Sequence, residues 1–151
     1  MDYLPHIDMF LRALRINTDR LSSRSKIAVD ARLLRRLLQC LAEAAPFSEE
    51  FYLQNNPDVA EAHAKGDIAD LRAHYVEHGY FEGRPGAAPP INEAYYTSTY
   101  RDVADAVTRG DVKSGTEHYL RSGAAEARIP APELKPAIES WAAVLRDEAP
   151  R

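Results

Sequence analysis

The chain contains two copies of one segment, and this repeat constrains the fold more than any other feature. Residues 51–84 align with residues 95–128 without a gap, at an offset of 44, and 12 of the 34 aligned pairs are identical. The identical pairs are Tyr52/Tyr96, Asp58/Asp102, Val59/Val103, Ala60/Ala104, Ala62/Ala106, Gly66/Gly110, Asp67/Asp111, His74/His118, Tyr75/Tyr119, Gly79/Gly123, Glu82/Glu126 and Arg84/Arg128. Periods of about 20 to 50 residues are typical of stacked supersecondary units. The sequence therefore predicts two tandem repeats.

Capping and turn residues divide each copy into short helices. In the first copy Ser48 is suited to cap one helix, and Asn56 followed by Pro57 is suited to begin the next. Gly66 can adopt the left-handed conformation that ends a helix. In the second copy Tyr100-Arg101 replaces the Asn-Pro pair, so we expect its second helix to begin less sharply.

A third helix is predicted to follow in each copy. In the first copy Asp67 is placed to cap it, and Gly79 is placed to end it after His78 as a second left-handed stop. Apolar residues recur at helical spacing along this segment, and we expect them to face the core. They are Ile68, Leu71, Tyr75 and Val76.

The flanking segments also have helical patterns. Residues 5–18 and 25–45 carry apolar residues on one side, with a break at residues 22–25, and residues 133–148 carry a further apolar stripe. The side chains predicted to face inward are Ile27, Leu34, Leu37, Leu38 and Leu41 before the repeats, and Leu134, Ile138, Trp141 and Leu145 after them. No alternation typical of strands is present, so the predicted fold class is all-α.

These patterns predict a domain organisation. A basic helical hairpin, residues 1–46, precedes the repeats, which occupy residues 47–88 and 91–130 within the segment 47–130. A C-terminal helix, residues 131–151, follows. A chain of this length can bury one core without a disulfide or a metal, and we expect one compact domain.

The composition favours a cytoplasmic protein. Charged residues interrupt the apolar stretches well before the ~20 residues that a transmembrane helix needs, and we expect no secretory signal peptide, because a positive segment followed by an apolar run is missing at the start. Cys40 is the only cysteine, which excludes an intramolecular disulfide and fits a reducing compartment. Since Cys40 lies among leucines, we interpret it as a small core residue and not as a nucleophile.

The charge is unevenly distributed. Residues 1–45 carry 8 basic and 5 acidic side chains, a net charge of +3, whereas residues 46–151 carry 11 and 18, a net charge of −7. Arg32, Arg35 and Arg36 belong to the basic segment and are candidate contact residues for an acidic partner, nucleic acid or an anionic membrane. The alternative is a solvated helix face, or a face docked on the acidic repeats of the same chain. The amphipathic pattern of this helix also suits pairing with another helix, including that of a second copy.

No motif supplies a catalytic mechanism. The sequence lacks a nucleophile elbow, a phosphate loop and a dinucleotide fingerprint, so we expect neither an enzyme nor a bound cofactor. His74 and His78 have the spacing of two metal ligands on a helix. In the second copy His74 persists as His118 whereas His78 becomes Ser122. This half-lost pair argues against a metal site.

A set of polar residues recurs at the end of each repeat. Its charged and ionisable members are His74, Glu82 and Arg84 in the first copy and His118, Glu126 and Arg128 in the second. One interpretation is a polar pocket in each repeat that binds a sugar, a carboxylate or a peptide. The other is that these residues stabilise the repeat itself, since repeats preserve their packing residues first. The two roles are compatible.

The repeat resembles a known bacterial unit. The segment from Phe51 to Ala60, with His74-Tyr75, Gly79 and Glu82-Gly83-Arg84, is similar to the "YLxxNPDVA…HYxxxGxxEGR" repeats that occur beside glycosyltransferase domains in surface-polysaccharide enzymes and in some large secreted calcium-binding proteins. The resemblance covers residues 47–128. The second copy departs from the pattern, because Ala127 replaces the glycine before Arg128. The resemblance implies an accessory module from a glycan-related or cell-surface setting.

Together these observations predict a non-catalytic adaptor that binds another protein, in bacterial surface-glycan biosynthesis. The expected partner is a glycosyltransferase or a second copy of the chain. One alternative is a DNA-associated regulator that uses the basic N-terminal helices, although the overall acidic balance, with a pI of about 5.7, argues against it. Another alternative is a module that binds a carbohydrate or a nucleotide sugar.

Overall fold

The computed structural model describes residues 4–23 and 26–145. Over these residues the chain forms helices and no strand, which confirms the predicted all-α class. The chain divides into two compact units, Met1–Ala87 and Ala88–Arg151. The division falls between the two aligned segments.

The first unit contains three helices before its copy of the repeated segment. They are α1 (Ile7–Leu14), α2 (Thr18–Leu21) and α3 (Ala31–Ala44). The repeated segment then forms α4 (Glu49–Asn55), α5 (Pro57–Ala64) and α6 (Leu71–His74), and α6 continues without a break into a π-helix, π1 (Tyr75–Gly79).

In the repeated segment of this unit the predicted cap at Ser48, the start at Pro57 and the end at Gly66 are confirmed. The helices predicted over residues 5–18 and 25–45 are shorter, since α1 ends at Leu14 and α3 begins at Ala31. Ser48 caps α4, because its hydroxyl oxygen accepts a hydrogen bond from the backbone N–H of Phe51 at 3.3 Å. Gly66 ends α5 in the left-handed conformation, with φ at +83°. The prediction that Asp67 caps the third helix is wrong. The N–H of Asp67 closes the turn onto Ala62 O at 3.0 Å, and Asp70 caps α6 instead.

The prediction that Gly79 is a left-handed stop is also wrong. Gly79 lies inside π1, whose wider turn is closed by the hydrogen bond from Tyr80 N–H to Tyr75 O at 2.8 Å. The left-handed residue is Gly83, with φ at +75°, and the turn after it is closed by Arg84 N–H donating to Gly79 O at 2.9 Å. Glycine is required at position 79 not because the helix stops there but because the Tyr52 side chain leaves no room for a β-carbon.

The core of the first unit is built from aromatic and aliphatic side chains. Its buried members are Ala42, Tyr52, Val59, Leu71 and Tyr75, with Phe47, Leu53, Ile68 and Val76 packed against them. All four residues predicted to face inward from the third helix, Ile68, Leu71, Tyr75 and Val76, belong to this core. The 3.6-residue periodicity identified them correctly.

Of the five residues predicted to face inward before the repeats, Ile27 and Leu38 are half-buried and the other three are exposed. The buried residue of α3 is Ala42, whereas Leu34, Leu37 and Leu41 are 48%, 39% and 50% exposed. The side that meets the repeat carries Arg35, whose guanidinium carbon lies 4.1 Å from the centre of the Phe81 ring. Arg35 also donates to Glu77 O at 2.6 Å. Because an arginine can stack on a ring and bond a carbonyl at once, it can replace an apolar contact here.

The second unit begins with elements in the same order as α4 to π1 of the first. Its elements are α7 (Glu93–Thr99), α8 (Arg101–Arg109), α9 (Gly115–His118), the π-helix π2 (Tyr119–Gly123), a short 3-10 turn (Pro132–Leu134) and α10 (Lys135–Leu145). Helix α8 begins at Arg101, the residue aligned with Pro57, so the expected less sharp start is wrong. Neither Asn56 nor Tyr100 caps the helix that follows with its side chain, and replacing the asparagine therefore removes no cap.

Helix α10 also differs from its prediction. Trp141 and Leu145, which were expected to face inward, are 57% and 73% exposed. Leu134 and Ile138 are half-buried. The described residues contain no helix long and apolar enough to cross a membrane.

Candidate functional site

The same pair of side chains lies at the centre of each repeat. The hydroxyl oxygen of Tyr52 lies 3.1 Å from Nδ1 of His74, and the hydroxyl oxygen of Tyr96 lies 3.1 Å from Nδ1 of His118. Both tyrosines are fully buried. Helices α4 and α7 supply the tyrosines, and the last residues of α6 and α9 supply the histidines.

The surroundings of the first pair fix its protonation. Burial raises the pKa of Tyr52, so its hydroxyl keeps its proton at neutral pH. Burial also lowers the pKa of His74, and the neighbouring His78 lowers it further. A neutral imidazole has one acceptor nitrogen, and Nδ1 in that role accepts from the tyrosine hydroxyl.

In the second repeat a serine replaces the second histidine. Burial raises the pKa of Tyr96 to about 12, so its hydroxyl is a donor as well. The hydroxyl of Ser122 donates to His118 O at 3.3 Å, and Ser122 Oγ lies 3.4 Å from His118 Nε2. Ser122 therefore lies beside the ring nitrogen of His118 that does not face Tyr96.

A glycine faces each tyrosine hydroxyl. A β-carbon built on Gly79 would lie 2.1 Å from the hydroxyl oxygen of Tyr52, and one built on Gly123 would lie 2.2 Å from that of Tyr96. Each glycine is the last residue of a π-helix. The missing side chain therefore makes room for the Tyr–His pair, which explains why both copies keep glycine at a position without a left-handed backbone.

A second cluster is built around Arg84. Its Nη1 and Nη2 donate to the two carboxylate oxygens of Asp58 at 2.8 and 2.7 Å, and its Nε donates to Glu82 at 2.6 Å. Nη1 also donates to Asn56 Oδ1 at 3.0 Å. The guanidinium group lowers the pKa of Asp58 to about 2, mainly by these hydrogen bonds. The pair is bidentate, which is the strongest arrangement for an arginine and a carboxylate.

The second repeat keeps this cluster with one exchange. Arg128 makes the same paired bonds to Asp102 at 2.9 and 2.7 Å and bonds Glu126 at 2.5 Å. Tyr100 stands where the first repeat has Asn56, and its ring centre lies 4.9 Å from the Arg128 guanidinium carbon. A cation–π contact therefore replaces an amide hydrogen bond.

The structure divides the nine candidate residues of the sequence into separate groups. His74, Glu82 and Arg84 belong to the clusters of the first repeat, and His118, Glu126 and Arg128 belong to those of the second. Their main contacts are within the chain. The three arginines of α3 do not share one environment. Arg32 is exposed and pairs with Asp30 at 3.2 Å, Arg35 is turned to the repeat, and Arg36 is exposed beside a cleft between α3 and the α6–π1 segment.

The described residues contain no group of three or more His, Cys, Asp or Glu side chains placed to hold a metal ion. Cys40 is a half-buried free thiol.

Comparisons of the chain with protein-family models, with characterised proteins and with solved structures gave no significant match.

Sequence reasoning missed two sets of residues. The first is Asp58 and Asp102, to which no contact role was assigned from the sequence although they recur together with Arg84 and Arg128. Because the aspartate and the arginine are both identical in the two copies, the repeat itself could have predicted this ion pair. The second set is the exposed leucines of α3. An amphipathic pattern shows that a helix has an apolar side, but it does not show whether the same chain covers that side.

Proposed function

We propose that this chain is a non-catalytic protein-interaction module that binds an amphipathic helix of another protein on the leucine face of α3. The leucine face consists of Leu34, Leu37 and Leu41. The observation that carries the proposal is that α3 meets the repeat through Ala42 and Arg35 and leaves Leu34, Leu37 and Leu41 exposed. Exposed leucines in a row on one helix are typical of a protein-binding surface.

The spacing of the leucine face suits a helix as its occupant. Leu34, Leu37 and Leu41 are separated by three and then four residues. This is the spacing of the seam along which two helices pack with a small crossing angle. A partner helix with two or three apolar residues at the same spacing covers the three leucines and buries surface that water now contacts.

Charge selects the kind of partner. Helix α3 carries Arg32, Arg35 and Arg36 and one acidic residue, Glu43. Two copies of α3 packed together would bring these arginines into one small region, which is unfavourable for like charges. A partner helix with acidic flanks avoids that repulsion, so the proposed occupant belongs to a different protein.

Two anchors hold α3 in place for this role. Arg35 stacks on Phe81 and bonds Glu77 O, as described above. Arg72 of α6 donates to the carbonyl oxygens of Glu43 and Ala45 at the end of α3. Neither link uses Leu34, Leu37 or Leu41, so the leucine face is left for a partner.

The polar clusters of the repeats support a non-catalytic role. Arg84 and Arg128 donate most of their hydrogen bonds to carboxylates of their own repeat, and each tyrosine hydroxyl lies within hydrogen-bond distance of a histidine of its own repeat. The resemblance to accessory repeats of bacterial polysaccharide enzymes supports a partner in surface-glycan biosynthesis, such as a glycosyltransferase. The free Cys40 supports a cytoplasmic location.

The test is site-specific photo-crosslinking in the native cell. A photoreactive residue at position 34 is compared with one at position 145 of α10, which is more exposed than position 34. The proposal requires that position 34 captures a protein through an acidic amphipathic helix and that Leu37→Glu with Leu41→Glu abolishes the capture. Cross-links between two copies of the chain would instead show self-association, and nuclease-sensitive capture would show a nucleic-acid complex. Either result contradicts the proposal.

A matched pair of variants separates binding from folding. Leu37→Glu with Leu41→Glu is compared with Val144→Glu with Leu145→Glu, which places two carboxylates on the exposed part of α10. Both doubles should keep the helical circular dichroism of the wild type, since all four side chains are exposed. The α3 double should weaken binding of the captured partner by at least about tenfold, whereas the α10 double should not. Equal binding by both doubles would overturn the proposal.

A further inference from the structure

A cleft lies at the corner between α1 and α2, away from the residues discussed so far. Its volume is about 630 Å³, and the side chains that line it include Arg12, Arg15 and Arg20 together with Leu11 and Ile16. Clefts of about 300 to 1,000 Å³ suit small molecules.

The three arginines of this cleft have no carboxylate partner among the described residues. The acidic side chain that shares the cleft, Asp8, lies 3.4 Å from His6 and is not paired with an arginine. All three arginines are exposed at the edge of the cleft. Uncompensated like charges repel one another, and an anion bound between them removes that repulsion.

The backbone of Arg15 is strained in a way that bears on the cleft. Arg15 has φ at +54° and ψ at 45°, the left-handed conformation in which glycine is the usual residue. It ends α1, and the turn is closed by Ile16 N–H donating to Leu11 O at 3.0 Å. An arginine at this position makes the turn less stable than glycine would, while it adds a third guanidinium group to the cleft. Strain of this kind is concentrated at ligand-binding positions.

We infer that this cleft binds a small phosphorylated molecule. Guanidinium groups bind phosphate oxygens with paired hydrogen bonds, and three of them suit a ligand with more than one phosphate charge. Leu11 and Ile16 offer an apolar wall for the remainder of the ligand. This inference does not depend on the leucine face of α3, and either can fail alone.

The experiment uses the full chain, with ADP, pyrophosphate and adenosine as probes. Backbone amide signals are followed by NMR while each probe is added up to about 10 mM, which covers weak small-molecule affinities. ADP and pyrophosphate should bind saturably and shift the signals of residues 8–20. Adenosine should not bind, because it lacks phosphate. Absence of saturable ADP binding, or equal binding of adenosine, overturns the inference.

Two double variants locate the binding. Arg12→Ala with Arg20→Ala should weaken ADP binding by about tenfold or more. The control, Arg101→Ala with Arg121→Ala, removes the same charge from exposed positions of the second unit and should leave the affinity unchanged. Equal loss in both doubles would show nonspecific charge attraction and would contradict the inference. Tight binding of a short DNA duplex without ADP binding would also contradict it.

Arg15→Gly should change stability and ADP affinity in opposite directions, which a purely structural role of Arg15 does not predict. The substitution removes a guanidinium group and relieves the left-handed backbone. It should therefore raise the melting temperature of the chain while it weakens ADP binding. A variant that is more stable and binds ADP as well as the wild type shows that Arg15 is not part of the site.

Discussion

The hydroxyl oxygen of Tyr52 occupies the space that a side chain at position 79 would need, since a β-carbon on Gly79 would lie only 2.1 Å from it. The buried ring cannot move away, because its hydroxyl is bonded to His74 and its ring contacts those of Phe47 and Tyr75. The same relation holds between Tyr96 and Gly123.

This contact predicts a strong coupling between the two positions. Gly79→Ala should lower the free energy of unfolding by about 2 to 3 kcal/mol, as expected when a core is overpacked. Tyr52→Phe should lower it by about 1 to 2 kcal/mol, because His74 loses its partner. The double variant should be less destabilised than the sum of the two, since removing the hydroxyl makes room for the methyl group. Urea denaturation measures this cycle, and simple additivity would show that the hydroxyl does not set the requirement for glycine.

The residues before Arg84 and Arg128 are both left-handed but differ in type, so glycine and alanine can be exchanged in both directions. Gly83 has φ at +75° and Ala127 has φ at +54°, and a β-carbon on Gly83 would meet no atom within 4 Å. Only backbone conformation therefore distinguishes the two residues. Gly83→Ala should lower the free energy of unfolding by about 1 kcal/mol, and Ala127→Gly should raise it by a similar or smaller amount. Thermal denaturation of the two variants tests this, and effects of the same sign would contradict it.

The Arg84–Asp58 pair predicts a dependence of stability on pH in acid. The folded-state pKa of Asp58 is lowered from 3.8 to about 2 by the hydrogen bonds from Arg84. A lowered pKa means that the pair stabilises the fold fully above pH 4 and that this stabilisation is lost as the pH falls towards 2. The difference in stability between the wild type and Asp58→Asn should therefore shrink over that interval. An unchanged difference between pH 4 and pH 2 would show that the carboxylate is not paired in solution.

His74 predicts a second dependence on pH, closer to neutrality. Burial lowers its pKa below the ordinary value of 6.5, so the folded chain binds a proton on this ring less readily than the unfolded chain does. Stability is therefore unaffected above about pH 6.5 and decreases as the pH falls through that value. NMR titration of the imidazole proton of His74 should give a midpoint below 6.5. A midpoint above 6.5 would contradict the neutral Tyr–His pair.

The sequence predicted the parts of the fold that depend on local chemistry. The all-α class, the cap at Ser48, the left-handed end at Gly66 and the inward side of the α6–π1 segment are confirmed. Each of these follows from a residue and its near neighbours in sequence, which capping and periodicity describe well.

The parts that were wrong depend on contacts between distant residues. Gly79 was interpreted as a helix stop, but a tyrosine 27 positions earlier determines it. The exposed side of α3 was expected inside, because periodicity shows that a helix has an apolar side without showing what covers it. Nor does a single sequence distinguish a polar residue that binds a ligand from one that binds another residue of its own repeat, as the contacts of Arg84 and Arg128 show.

The ion pair of Arg84 and Asp58 joins two points 26 residues apart, one in the first turn of α5 and the other just after the segment that ends with π1. The ion pair therefore joins the two ends of the segment from residue 58 to residue 84. Such a segment cannot fray from either end while the pair holds, so α5, α6 and π1 should open to solvent in one step, with a single protection factor for hydrogen exchange across all three. The Arg128–Asp102 pair joins the ends of the corresponding segment of the second unit. Each repeat would then unfold as one cooperative unit that is held together by its own Arg–Asp pair.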